Sequence, residues 1–158
     1  MGNWIPAGPA ILFVPADRPD RFTKAAERAD MVILDLEDGC RPENRAEARR
    51  AIIASEQAGD LAPERVIVRI NPVDSPEHAA DLEMLADLRY DLIMLPKAES
   101  AAAVESLAGH RVIALIETPL GVLRADDVAI NAKFDEFGVR LVSTSENIDQ
   151  TPGGLLMH

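Results

Sequence analysis

Residues 31–39 read MVILDLEDG, and the fold is decided in that stretch. Its first part is an unbroken aliphatic run, too short for an ordinary helix and too apolar for a strand with one wet face. That is the pattern of a strand covered on both sides. Its second part turns abruptly acidic, with Asp35, Glu37 and Asp38 crowded where the run ends. The same design repeats outward from this segment. Apolar runs at residues 11–14, 66–70, 92–95 and 112–116 end respectively at Asp17 and Arg18, at Arg69 and Asn71, at Lys97 and Glu99, and at Glu117 and Thr118.

Between the runs lie amphipathic stretches rich in Ala and Glu at residues 19–29, 43–58, 75–88 and 100–108, which read as helices. Ser75 followed by Pro76 and Glu77, and Ser100 before an alanine run, are expected helix starts. Strand and helix alternate, so the expectation is a parallel sheet joined by crossover helices. In such folds ligands bind beyond the carboxyl ends of the strands, which is where the charged residues gather here. The competing reading is that these charges are loop residues and helix caps.

The chain has 158 residues. A single core is within reach at that length, but a complete eight-stranded β/α barrel takes about 250. The expectation is therefore an α/β fold of about five parallel βα units, an incomplete barrel of the TIM type. The character changes near Arg124: residues 124–137 suit a helix and 139–143 a strand, and 144–158 form a polar tail without periodicity.

The formal charge is −11, which disfavours nucleic acid as a partner. Acid is concentrated after residue 50, so an anionic ligand is expected near the N-terminus. There Arg18, Arg21 and Lys24 follow one another at helical spacing and suit phosphate groups. One cysteine, Cys40, allows no internal disulfide and points to a reducing, cytoplasmic setting. The N-terminal apolar run is broken by Pro6, Pro9 and Pro15, so neither a signal peptide nor a membrane span is expected. There is no dinucleotide or Walker-type glycine loop and no zinc spacing among His78, His110, His158 and Cys40.

Two residues have a direct chemical reading. A carboxylate at Glu117, immediately after VIALI, can be aimed into a pocket from a fixed backbone, as a Mg2+ ligand requires. Arg69 at the end of VIVRI offers a planar fork for a substrate carboxylate or a developing enolate. The plainer alternative is that they pair with each other or with Lys97.

The blocks FVPADRPDRFTKA, VILDLEDG, VRINP, LPKAES and ALIETPLGV, in this order, resemble the citrate lyase beta subunit-like branch of the HpcH/HpaI aldolase family over about residues 8–123. The resemblance implies a β/α barrel lyase that makes or cleaves a carbon–carbon bond in 3-hydroxyacyl-CoA thioesters such as citryl-, malyl- or citramalyl-CoA, with Mg2+ as cofactor. It implies that Glu117 is the metal ligand and that Arg69 binds the carboxylate of the oxo-acid moiety. It further implies that Phe13, Arg18 and Lys24 contact the acyl-CoA, and that Glu37 and Asp38 lie behind metal-bound water. The expected partners are thus an acyl-CoA and a 2-oxo acid, with no nucleic acid and no membrane. The family's second metal carboxylate follows a Phe-Gly pair, whereas Phe137 and Gly138 are followed here by Val139, Arg140 and Leu141. Residues 124–158 resemble part of the catalytic domain of large serine recombinases, a foreign segment and not an independent domain, without the nucleophilic serine. The expectation is a truncated lyase domain over residues 1–123, impaired in activity and prone to homo-oligomerise or aggregate. An inactive remnant or an acyl-CoA-binding fragment is the alternative.

Overall fold

Every strand pairing seen in the computed structural model, which describes residues 6–126, 128 and 140–142, is parallel. The chain divides into two compact units, one over Gly2–Ile93 and one from Met94 onward, the boundary falling inside a strand.

In the first unit β1 (Ile11–Pro15), β2 (Met31–Asp35) and β3 (Val66–Arg69) lie side by side. Register sets Phe13 beside Ile33, Ile33 beside Ile67, and Asp35 beside Arg69. β2 is buried at all five residues, as its aliphatic run requires. β1 departs from expectation. Ile11, Leu12 and Phe13 are 40–46% exposed, because β1 pairs only with β2 among the described residues and has no covering neighbour on its other side.

The helices are shorter than the periodicity predicts. Residues 19–29 resolve into a 3-10 turn (Pro19–Arg21) and α1 (Phe22–Ala26). A second 3-10 turn (Pro42–Asn44) leads into α2 (Arg45–Ala58), which ends at Gly59 with φ 72°, the left-handed cap that favours glycine. α3 (His78–Leu85) starts later than Ser75 suggests: the Ser75 hydroxyl accepts a hydrogen bond from the Glu77 N–H, 3.2 Å, and closes a turn before the helix. The core gathers Phe22, Leu34, Ile52, Ile67, Leu85 and Tyr90, all essentially inaccessible. Burying a side chain of this size contributes about 1.5–3 kcal/mol. Arg65, just before β3, donates from Nε to Asp30 O and from Nη2 to Ala26 O and Ala29 O, and so satisfies the carbonyl end of α1.

β4 (Leu92–Leu95) crosses the boundary. The second unit then contains α4 (Ala101–Glu105), β5 (Arg111–Leu115), α5 (Pro119–Leu123) and β6 (Arg140–Val142). Ser100 caps α4 as expected, accepting from Ala103 N–H at 3.3 Å, and Thr118 caps α5 in the same way. β6 lies within the predicted strand 139–143 and pairs with β5, Leu141 beside Ala114. It has no second strand partner among the described residues. The result is an α/β fold whose described strands do not close into a barrel. Most of the predicted helix 124–137 and the tail 144–158, and with them most of the recombinase-like segment, lie outside the described residues.

Candidate active site

Polar groups collect where β2 and β3 end. Asp35 is 2% exposed, and its carboxylate is saturated. Oδ1 accepts from Glu37 N–H at 2.9 Å and from Arg69 Nε at 2.7 Å; Oδ2 accepts from Gly39 N–H at 2.8 Å and from Arg69 Nη2 at 2.6 Å. These bonds bend the chain after β2 into a turn and pin one edge of the guanidinium. Gly39 is required for the close approach, since a Cβ there would sit 2.3 Å from Asp35 Oδ2.

Arg69 has further company. Glu37 Oε2 lies 3.0 Å from its Nη1, and its guanidinium carbon stands 4.7 Å from the centre of the Phe13 ring, within cation–π range. Burial alone would lower the Arg69 pKa; the hydrogen bonds and charge of Asp35, with Glu37 and Asp38 behind, outweigh it and hold the group above its ordinary value. The structure therefore brings Phe13, Glu37 and Arg69 together, with Asp38 exposed on the adjoining turn. Arg18 instead pairs with Asp20 at 3.0 Å, both side chains about half exposed, and Lys24 is exposed on α1.

A buried network under this cluster was not singled out from the sequence. Asp81, fully buried on α3, accepts through Oδ2 from the backbone N–H of Asn71 at 2.7 Å and from its Nδ2 at 2.8 Å, and through Oδ1 from Arg49 at 2.8 Å. Asn71 Nδ2 also donates to Leu36 O, 3.2 Å, and Arg45 Nε reaches the same carbonyl at 3.1 Å. The turn that carries Glu37 is thus held from α2 and from the end of β3. Cys40, at the close of that turn, is buried, and burial pushes its thiol up to about 11.

The second unit has its own strand-end group. Glu117 follows β5, is half-buried, and its Oε1 accepts from the Lys97 N–H at 2.9 Å. Thr118 donates from Oγ1 to Glu99 Oε1 at 2.7 Å. Among the described residues no three His, Cys, Asp or Glu side chains are grouped to hold a metal ion. Glu117 does offer a hard carboxylate oxygen from a fixed strand end. That donor suits Mg2+, which is held by one or two carboxylates with water and substrate oxygens completing its shell. The Phe137–Gly138 block lies outside the described residues. No helix among those described is long and apolar enough to cross a membrane.

Comparison with known proteins finds relatives over most of this chain. The chain is 52% identical over 123 residues to a citrate lyase subunit beta-like protein of Mycobacterium tuberculosis, covering 78% of this chain and 44% of that protein. It is 35% identical over 136 residues to an L-malyl-CoA/beta-methylmalyl-CoA lyase of Rhodobacter capsulatus, 75% of this chain and 43% of the other. Among solved structures, CitE from Mycobacterium tuberculosis in complex with magnesium, acetoacetate and coenzyme A superposes with a TM-score of 0.80 at 45% identity, covering 95% of this chain and 53% of that one. The chain thus spans about half the length of the relatives it matches. The family model for HpcH/HpaI aldolase/citrate lyase matches residues 10–143, past Leu123 and through β6, so by sequence and by fold this chain belongs to the HpcH/HpaI aldolase/citrate lyase family.

Proposed function

We propose that this chain carries the substrate-orienting part of a Mg2+-dependent carbon–carbon lyase that converts a 3-hydroxyacyl-CoA into an acyl-CoA and a 2-oxo acid. The observation that carries the reading is Arg69: a guanidinium at the end of a parallel strand, locked along one edge by Asp35 and backed by Phe13. The N–H groups that Asp35 and Glu37 leave over suit the planar carboxylate of an oxo acid. Glu117 is the residue that would hold Mg2+, which when bound would neutralise negative charge gathering on the oxo-acid oxygens.

In the cleavage direction the substrate's hydroxyl loses its proton as the hydroxyl carbon becomes a carbonyl. The carbon–carbon electron pair passes to the thioester as an enolate, and a proton at carbon completes the acyl-CoA. Arg69 steadies the carboxylate throughout, so the bond to be broken stays aligned. Asp35, engaged by four hydrogen bonds, orients Arg69. Arg18 and Lys24, exposed at the first strand end, suit the phosphates of the CoA arm. The expected foreign, recombinase-like extension over 124–158 overlaps the family match, which runs through residue 143, so only 144–158 are still read as foreign; the protein is read as cytoplasmic.

The test is Mg2+-dependent release of acetyl-CoA from malyl-, citramalyl- or citryl-CoA, abolished in Glu117→Ala. No turnover with any of these thioesters would overturn the reading. CoA binding that survives Glu117→Ala but weakens in Arg18→Ala, without turnover, would mark an acyl-CoA-binding fragment instead. Self-association accompanies either reading, through the apolar edge of β1 at Ile11, Leu12 and Phe13.

A further inference from the structure

Lys97 has φ 50° and is the one non-glycine residue with positive φ among those described. A lysine gains nothing from left-handed backbone on its own account, so the surrounding contacts must hold it there. Contacts of residues 97–99 reach the end of β5 and the segment that follows it. The Lys97 N–H donates to Glu117 Oε1 at 2.9 Å. The next amide, Ala98 N–H, donates to Leu115 O at 2.9 Å, which lays the turn against the end of β5. Ala98 O sits so close to α5 that a Cβ on Gly121 would come within 2.8 Å of it. Glu99 accepts from Thr118 Oγ1, and that oxygen in turn caps Gly121 N–H at 3.0 Å. Residues 97–99 therefore grip residues 115, 117, 118 and 121, and the left-handed step at 97 lies between the amide that meets the Glu117 carboxylate and the amide that meets Leu115 O.

We infer that Lys97 is a positioning residue that acts through its backbone, its left-handed conformation presenting an N–H that fixes the Glu117 carboxylate. The inference deepens the lyase reading and rests on it only for what the fixed carboxylate then holds. The amide-to-carboxylate contact stands apart from that reading. Side chains at position 97 should consequently be sorted by their tolerance of positive φ: glycine adopts it freely and valine resists it.

Two measurements on the full chain test this. Amide hydrogen exchange followed by NMR, without any cation, should show the residue 97 amide protected. Glu117→Ala should speed its exchange by about tenfold or more while the Ala98 amide keeps its rate, since a lone amide depends on the acceptor it is given. An unchanged rate at residue 97 overturns the inference. Mn2+ binding followed by electron paramagnetic resonance should then show an affinity about tenfold weaker in Lys97→Val and, in Lys97→Gly, restored to within about threefold of the parent, the difference lying in backbone preference alone. Equal weakening in both variants would place the effect in the ammonium group and overturn the inference. Absence of Mn2+ binding in the parent chain would count against the lyase reading and leave the exchange measurement to decide this one. If Lys97→Val fails to fold by circular dichroism, the exchange comparison between the parent and Glu117→Ala still decides.

Discussion

Arg69 and Asp35 meet edge to edge, Nε to Oδ1 at 2.7 Å and Nη2 to Oδ2 at 2.6 Å, as register partners on adjacent parallel strands. Both side chains are largely out of water, 12% and 3% exposed. Removing one member of such a pair strands the other's charge, at a cost of about 3–5 kcal/mol, whereas replacing both with apolar groups of similar size can be near neutral. Asp35→Ala is thus expected to lower stability by about that amount in urea unfolding, and Asp35→Leu with Arg69→Met and Glu37→Gln, which also neutralises the buried carboxylate 3.0 Å from Arg69, to recover part of it. A cost below about 1 kcal/mol for Asp35→Ala would mean that the pair does not anchor this strand end.

The turn after β2 makes a second demand. A methyl group at position 39 would collide with Asp35 Oδ2, whereas Gly59 has open space around its Cβ position and a φ of 72°. Gly39→Ala is expected to cost more than Gly59→Ala, which pays only the left-handed penalty of about 1–2 kcal/mol. Urea midpoints of the two variants check the order, and the reverse order would contradict the close packing of Gly39 on Asp35.

Asp81 offers a third case. It has no exposure and accepts from Asn71 twice and from Arg49 once. Asp81→Ala leaves a buried amide, a carboxamide and a guanidinium without this partner, and a loss of about 3–5 kcal/mol is expected. Thermal unfolding monitored by circular dichroism should show it as a drop in Tm. A shift within error would mean that water replaces the carboxylate.

The Cys40 thiol, raised from its ordinary 9.0 to about 11, makes a pH prediction. At pH 8 it carries about a hundredfold less thiolate than a free cysteine, so alkylation by iodoacetamide in the folded chain should be slower by at least about that factor. Folding favours the neutral thiol. Its contribution to stability is complete below the unfolded value of 9.0 and is lost as the pH climbs through about 11. Cys40→Ala should remove that portion of the alkaline destabilisation, and an unaltered alkaline profile would show that other groups cause it.

The exposed edge of β1 is a site for intervention. Leu12→Lys places a charge beside the unpaired backbone of an edge strand, a common defence against edge pairing. A fall in apparent mass by analytical ultracentrifugation is expected, and no change would put any association elsewhere.

Much of this fold was legible in the residues, and its limits have physical causes. β2 reads as a doubly covered strand because all its residues are aliphatic up to Asp35. The equally apolar residues of β1 read the same way and are not covered, because composition says nothing about whether a neighbour lies beyond a strand. Arg69 and Glu117 were visible as charged residues ending apolar runs. Asp35 was seen only as one of several acids there, since its partner lies 34 residues away and only parallel register makes them neighbours. Asp81 looked like an ordinary helix acid for the same reason. Lys97 carried no signal as a positioning residue, because a left-handed lysine leaves no trace in residue type. Ser75 misled because a serine hydroxyl serves a turn as readily as a helix cap.

β3 is four residues long, with Arg65 immediately before it and Arg69 as its last member. One guanidinium is spent on the carbonyls that end α1; the other faces the strand-end cluster. About 13 Å of extended chain separates them, so the two guanidinium groups serve opposite ends of one short strand. Exchange at Arg65 would surface as a folding defect whatever the substrate, while exchange at Arg69 would strike ligand and scaffold together, since Asp35 and Glu37 lose the guanidinium between them.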